Sequence, residues 1–108
     1  MAKTEYILSQ QDHFRYRVLL NTQRSLLGMV TPNMRAITIG YSEKEYTLKV
    51  YFEKEPNERE IELLTELTSE IAACMPEFKK FNEEYIVTLE KKGVLPCLNE
   101  WVYFRYED

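Results

Sequence analysis

Four glutamates, Glu58, Glu62, Glu66 and Glu70, recur at intervals of four in a stretch that reads as helix. That spacing lines carboxylates along one side of a helix, about one turn apart. A row of this kind does no covalent chemistry unaided. It attracts guanidinium and ammonium groups, and it speeds encounter with a basic partner. Glu60 adds a fifth acid, and Arg59 is the one base in the stretch. Like charges at i,i+4 cost roughly 0.2–0.5 kcal/mol per pair. The helix dipole offsets part of this near Glu58 and Glu62 and little of it at Glu66 and Glu70. Two readings stay open: a solvated face that serves solubility and helix propensity, or a ridge that engages a basic partner.

The other residues able to do chemistry form no constellation. His13 is the one histidine, and no identifiable partner makes it a general acid or base. Cys74 and Cys97 give no convincing Cys–His pair with it, and their spacing fits no zinc pattern. They are expected to be two free thiols in a reducing compartment, with one long-range bridge as the alternative. Glycine occurs only at 28, 40 and 93, which excludes a Gly-rich phosphate loop. No catalytic residue, metal ligand or cofactor site is therefore expected, and the residues point to a protein that works by binding another macromolecule.

Bulk properties narrow the partner. With 18 acidic and 14 basic residues the formal charge is −4, which disfavours direct nucleic-acid binding because phosphates need a basic footprint. A hydrophobic fraction of 44% over 108 residues argues against disorder and fits one domain spanning 1–108. The apolar run at the N-terminus is too short for a signal peptide, and no run of about 18 apolar residues would cross a membrane. A cytoplasmic location is the expectation.

These side chains must be positioned by elements that the sequence punctuates clearly. A first helix is expected from Gln10 to Leu27, with Ser9 as N-cap and Gly28 as the C-cap glycine. Its apolar arc comprises Tyr16, Leu19, Leu20, Leu26 and Leu27, with Phe14 and Val18 on a second edge. Strands at 35–41 and 46–53 form a hairpin, the second alternating Tyr46, Leu48, Val50 and Phe52 against Thr47, Lys49, Tyr51 and Glu53. Asn57 and Glu60 have capping-box spacing for a second helix at 58–74, which buries Ile61, Leu64, Leu67, Ile71 and Cys74. Strands at 83–90 and 100–106, joined through a turn at 91–93, form a second hairpin. The fold class is therefore α+β, in the order α-β-β-α-β-β, with one mainly antiparallel four-stranded sheet and both helices on one face. A short strand at 4–8 would instead make the first six elements ferredoxin-like.

Strand alternation also places Tyr51, Trp101 and Tyr103, with Lys49 and Arg105, on the sheet face away from the helices. Trp, Tyr and Arg are enriched at binding hot spots, and a bare face of large aromatics is not expected to persist. Another chain segment, a dimer mate or a partner must cover it. Base stacking on this face gives the alternative function, a nucleic-acid-binding or dimerising module.

Two segments, Leu26-Leu27-Gly28-Met29-Val30-Thr31-Pro32-Asn33-Met34-Arg35-Ala36-Ile37 and Asn99-Glu100-Trp101-Val102-Tyr103-Phe104-Arg105, together with the alternating strand and the Glu-rich helix, resemble small bacterial immunity proteins of polymorphic toxin and contact-dependent inhibition systems. The resemblance covers nearly the whole chain. It implies a cytoplasmic, non-catalytic protein that binds a cognate toxin domain and blocks it by occlusion. Many toxins of such systems are nucleases with basic sites, which an acidic ridge would suit. The resemblance transfers no residue list. Glu58, Glu62, Glu66, Glu70, Tyr51, Trp101 and Tyr103 are candidate partner-binding residues on the physical arguments alone.

Overall fold

The computed structural model describes residues 10–107. The Ser9 cap and the strand at 4–8 lie outside those residues. The elements are α1 (Gln10–Leu26), β1 (Met34–Tyr41), β2 (Glu45–Phe52), α2 (Glu58–Cys74), β3 (Lys80–Val87), a 3₁₀ turn at Lys92–Val94, and β4 (Glu100–Phe104). Gly28 has φ +79°, the left-handed conformation that ends α1 and that glycine adopts without a Cβ clash.

The α+β class holds, and so does the placement of both helices on one sheet face, because one cluster joins Val18 and Leu26 of α1, Leu64, Leu67 and Ile71 of α2, and the helix-facing strand residues. The sheet itself differs from the expectation. Its order is β3-β2-β1-β4, with β1 antiparallel to both β2 and β4 and with β3 parallel to β2. The sheet is therefore mixed, and β3 and β4 are its opposite edges, not a hairpin. The physical reason lies in α2. A helix between two neighbouring strands returns the chain to the end where the first began, so the next strand runs parallel.

Two bulges set which side chains face which way. Met34 pairs with Phe52 but Ala36 pairs with Tyr51, so Arg35 is the extra residue. Its guanidinium, 4% exposed, donates two 2.9 Å bonds to Glu107 and one of 2.8 Å to the Thr88 carbonyl. In β4, Tyr103 pairs with Ile37 and Trp101 with Thr38, leaving Val102 as the extra residue. Simple alternation predicted Trp101 and Tyr103 on one face. The bulge sends Trp101 and Phe104 to the outer face, with ring centroids 4.7 Å apart, while Val102 and Tyr103 pack against the helix-side core.

Helix α1 also buries a different stripe from the one its apolar residues suggest. Val18, Thr22, Ser25 and Leu26 are buried, whereas Tyr16, Leu20 and Leu27 are 48%, 58% and 79% exposed. Tyr46 explains the choice. Its ring is fully buried, and its hydroxyl needs a partner, which the Thr22 hydroxyl supplies at 2.9 Å. A buried polar group left unpaired costs more than burying a bonded threonine. Burial raises the Tyr46 phenol far above its ordinary range. In α2, Leu64, Leu67 and Ile71 are buried as expected, whereas Ile61 is only partly covered and Cys74 is exposed. Both cysteines are free thiols.

The C-terminal residues are held electrostatically. Arg105 bonds Glu53 at 2.8 Å, Glu107 at 2.9 Å and the Pro32 carbonyl at 2.7 Å. Hydrogen bonds from Arg35, and secondarily from Arg105, hold Glu107 at about 2, below the ordinary 4.5. Glu100 beside Arg15 and Glu77 beside Arg17 are lowered too. A carboxylate lowered in the folded state contributes stability above its ordinary pKa and loses it as pH falls towards the folded value. Glu107→Gln should therefore lower the thermal midpoint at pH 7 and should narrow the midpoint difference between pH 7 and pH 3, as followed by circular dichroism.

Candidate partner-binding surface

The acidic ridge is built by the start of α2. Asn57 accepts the Glu60 N–H at 2.8 Å, and Glu60 accepts the Asn57 N–H at 3.1 Å, a reciprocal capping box as the spacing predicts. Glu60 also accepts from the Thr31 hydroxyl and, at 3.3 Å, from the Asn33 amide. Only 6% exposed, Glu60 is committed to joining α2 to the α1–β1 turn and presents no charge to a partner.

The remaining four glutamates are exposed. Arg59 lies between two of them, 3.5 Å from Glu62 and 3.7 Å from Glu66. All three side chains are more than half exposed, so each pair contributes about 0–1 kcal/mol. A partner's basic group can displace Arg59 at little cost. Glu58 lies on the side of α2 towards β3, since Glu58 and Thr65 share a face at i and i+7, and the Thr65 hydroxyl reaches Glu83 of β3 at 3.3 Å. Glu70 turns the other way and lines a groove with Asn21, Arg24 and Cys74 between the two helices. The ridge thus winds across the outer surface of α2.

The structure does not bring the three candidate aromatics onto one open face. Tyr51 is 1% exposed. Leu95 and Ala36 pack against it, its hydroxyl donates to the Pro96 carbonyl at 2.6 Å, and the Lys49 ammonium lies 5.4 Å from its ring centre. Trp101 stands beside it at 6.0 Å and is partly buried. Tyr103 is on the helix side. The cover is the chain's own 88–99 segment, which crosses from β3 to β4. The Thr38 hydroxyl pins it by accepting the Leu98 N–H at 3.0 Å and donating to the Glu100 carbonyl at 2.7 Å. Gly40 lets it approach closely, because a Cβ there would stand 3.3 Å from Leu98. Of the alternatives open in the sequence, a chain segment is the one that covers this face.

A depression at the N-terminus of α2 is lined by Glu53, Lys54, Glu55, Arg59, Glu60 and Arg105 among others. Three acids and three bases leave it without the single-sign field that would select a charged ligand. Among the described residues, no group of three or more His, Cys, Asp and Glu side chains is arranged to hold a metal ion, and no helix is long and apolar enough to cross a membrane.

A sequence model of the MafI2 immunity protein family matches residues 15–107. No curated protein matches the chain.

The capping box predicts the cost of loosening the ridge at its root. Asn57→Ala should destabilise the protein by about 1 kcal/mol, read from the denaturant midpoint, and should do so without altering the secondary-structure content of the native state.

Proposed function

Because the chain belongs to the MafI2 immunity protein family, we propose that it is a non-catalytic protein that binds a cognate bacterial toxin domain and neutralises it by occlusion, with the exposed ridge Glu58, Glu62, Glu66 and Glu70 as the principal contact. The family match over residues 15–107 carries the immunity role. The ridge supports a basic partner, and a nuclease domain is the kind of toxin whose phosphate-binding surface such a row would fill. Exposed carboxylates steer encounter more than they hold the final complex, so the expected signature is fast, salt-sensitive association. The protein acts in the cytoplasm of the cell it protects, with no cofactor and no reaction catalysed.

The alternative, a module that stacks bases or a second copy on Tyr51, Trp101 and Tyr103, draws less support. Tyr51 lies beneath Leu95 and Pro96, and Tyr103 faces the helices, so three adjacent stacking surfaces are not on offer.

Capture of the toxin domain encoded by the neighbouring upstream gene tests the proposal. Tight binding that weakens with salt, together with rescue of cells expressing the toxin, is expected. Glu62→Lys combined with Glu66→Lys should leave the thermal midpoint within a few degrees, since both side chains are exposed, and should slow association at least about tenfold at low salt. Unchanged association would reduce the ridge to a solvated face. No capture at all would remove the immunity reading.

A further inference from the structure

The two edges of the sheet are protected very differently. Strand β4 is five residues long, is bulged at Val102, and has the Val102 carbonyl taken by the Gln23 amide of α1 at 3.1 Å. Those are the usual means of blunting an edge. Strand β3 has eight residues paired in continuous register with β2 from Lys80 to Val87, with no bulge and no proline. Its parity is set at both ends, where the Lys80 N–H bonds the Lys44 carbonyl and the Thr88 N–H bonds the Phe52 carbonyl. In a parallel ladder alternate residues turn their backbone groups inward. The N–H and C=O groups of Phe81, Glu83, Tyr85 and Val87 therefore point to the edge on which no described strand lies.

The C-terminal half of this edge is apolar. Ile86, Val87 and Leu89 are 40%, 45% and 81% exposed, in the run Tyr85-Ile86-Val87-Thr88-Leu89, whose β-branched and aromatic residues favour strand pairing. A long, flat, apolar edge is a template for another strand and is hazardous when left open. Acids lie near this half. Glu84 is on the outer sheet face beside Lys49, exposed Glu90 follows the strand ahead of Lys91, and Glu58 at the start of α2 is on the side of that helix towards β3.

We propose that β3 is a docking strand, and that the toxin domain lays an extended segment along it as a fifth strand, apolar at its centre and flanked by lysine or arginine. This rests on the immunity reading and deepens it by naming the mode of contact. Backbone pairing supplies affinity while alternate side chains supply specificity. The acids, including the near end of the α2 ridge, select the basic flanks. Charge decides against a second copy as the occupant. A two-fold β3–β3 pairing would put both α2 helices on the same side of one continuous sheet, and like-charged ridges brought near each other repel.

Amide hydrogen exchange, followed by NMR on the protein alone and in complex with the toxin domain encoded upstream, tests this. The amides of Phe81, Glu83, Tyr85 and Val87 should exchange quickly in the free protein and slow at least about a hundredfold in the complex. Those of Asn82, Glu84 and Ile86 should be slow in both. Val87→Pro removes an N–H that makes no bond within the sheet, so the fold should survive. Toxin capture should weaken at least about tenfold, the equivalent of one interface hydrogen bond. A tight complex in which the four edge amides still exchange quickly would overturn the docking strand and leave the immunity role standing. Protection that grows with concentration in the protein alone would assign the edge to a second copy and would also overturn the proposal. Failure to form any complex would overturn the immunity reading and this inference with it.

Discussion

The parallel pairing of β3 with β2 is the constraint from which the rest of the architecture follows. Once α2 carries the chain back over the sheet, β3 must lie beside β2 at one edge. Of the two edges then open, beside β3 and beside β1, β4 takes the second. The chain reaches it by crossing the sheet face that the helices leave open. The 88–99 segment does so, and Leu95 and Pro96 come to rest on Tyr51. One topological choice thus buries a face that would otherwise have been a bare aromatic surface. The same choice leaves β3 as an edge whose outward backbone groups no described strand pairs.

The crossing segment leaves much of its apolar surface unburied, Leu89 and Val94 being 81% and 65% exposed, and its ends are fixed by polar contacts. At one end the Thr88 carbonyl is taken by Arg35. Near the other, Thr38 bonds both Leu98 and Glu100. Arg35 holds Glu107 as well, so one nearly buried guanidinium ties the β1 bulge, the start of the crossing segment and the C-terminal residues together. A buried charge is costly unless paired and fully hydrogen-bonded. Here each of its three nitrogens donates a bond, two to a carboxylate and one to a carbonyl. The bulge is what makes the arrangement available, because it takes Arg35 out of the alternation of β1 and aims it across the sheet's end.

Much of this was legible in the residues because local rules govern it. The cap at Asn57, the left-handed glycine at 28, the hairpin of β1 and β2, and the helix-facing set Tyr46, Leu48, Val50 and Phe52 follow from spacing and turn chemistry. The misreadings share a cause, which is that non-local pairing overrides local pattern. The Lys91-Lys92-Gly93 turn signal suggested a hairpin, yet nothing local indicates which edge β4 will choose. Alternation in 100–106 pointed to one face for Trp101 and Tyr103, but a bulge of a single residue reverses the parity beyond it. The apolar count on α1 favoured Tyr16, Leu20 and Leu27 over Thr22 and Ser25, because the count does not register the hydroxyl of Tyr46 that needs a buried partner. One residue of the sequence does point to a non-local contact. Arg35 sits at the head of the otherwise apolar run of β1, and a charge there asks for a carboxylate partner from elsewhere in the chain.

Charge is unevenly distributed between α2 and the rest of the molecule. Several acids outside α2 are paired within the molecule. Glu77 takes Arg17, Glu100 takes Arg15, Glu53 and Glu107 share Arg105, and Glu84 lies 3.9 Å from Lys49. On α2 the balance differs, since four exposed glutamates share one arginine, and that arginine reaches only the middle two. If the ridge served solubility alone, mixed signs at i,i+4 would do so while adding helix stability. The chain forgoes that gain on the one helix that borders its unprotected strand edge. An uncompensated field and an open backbone edge on the same side of the molecule complement one another. The field draws in a basic segment from a distance, and the edge gives that segment hydrogen-bonding partners once it arrives.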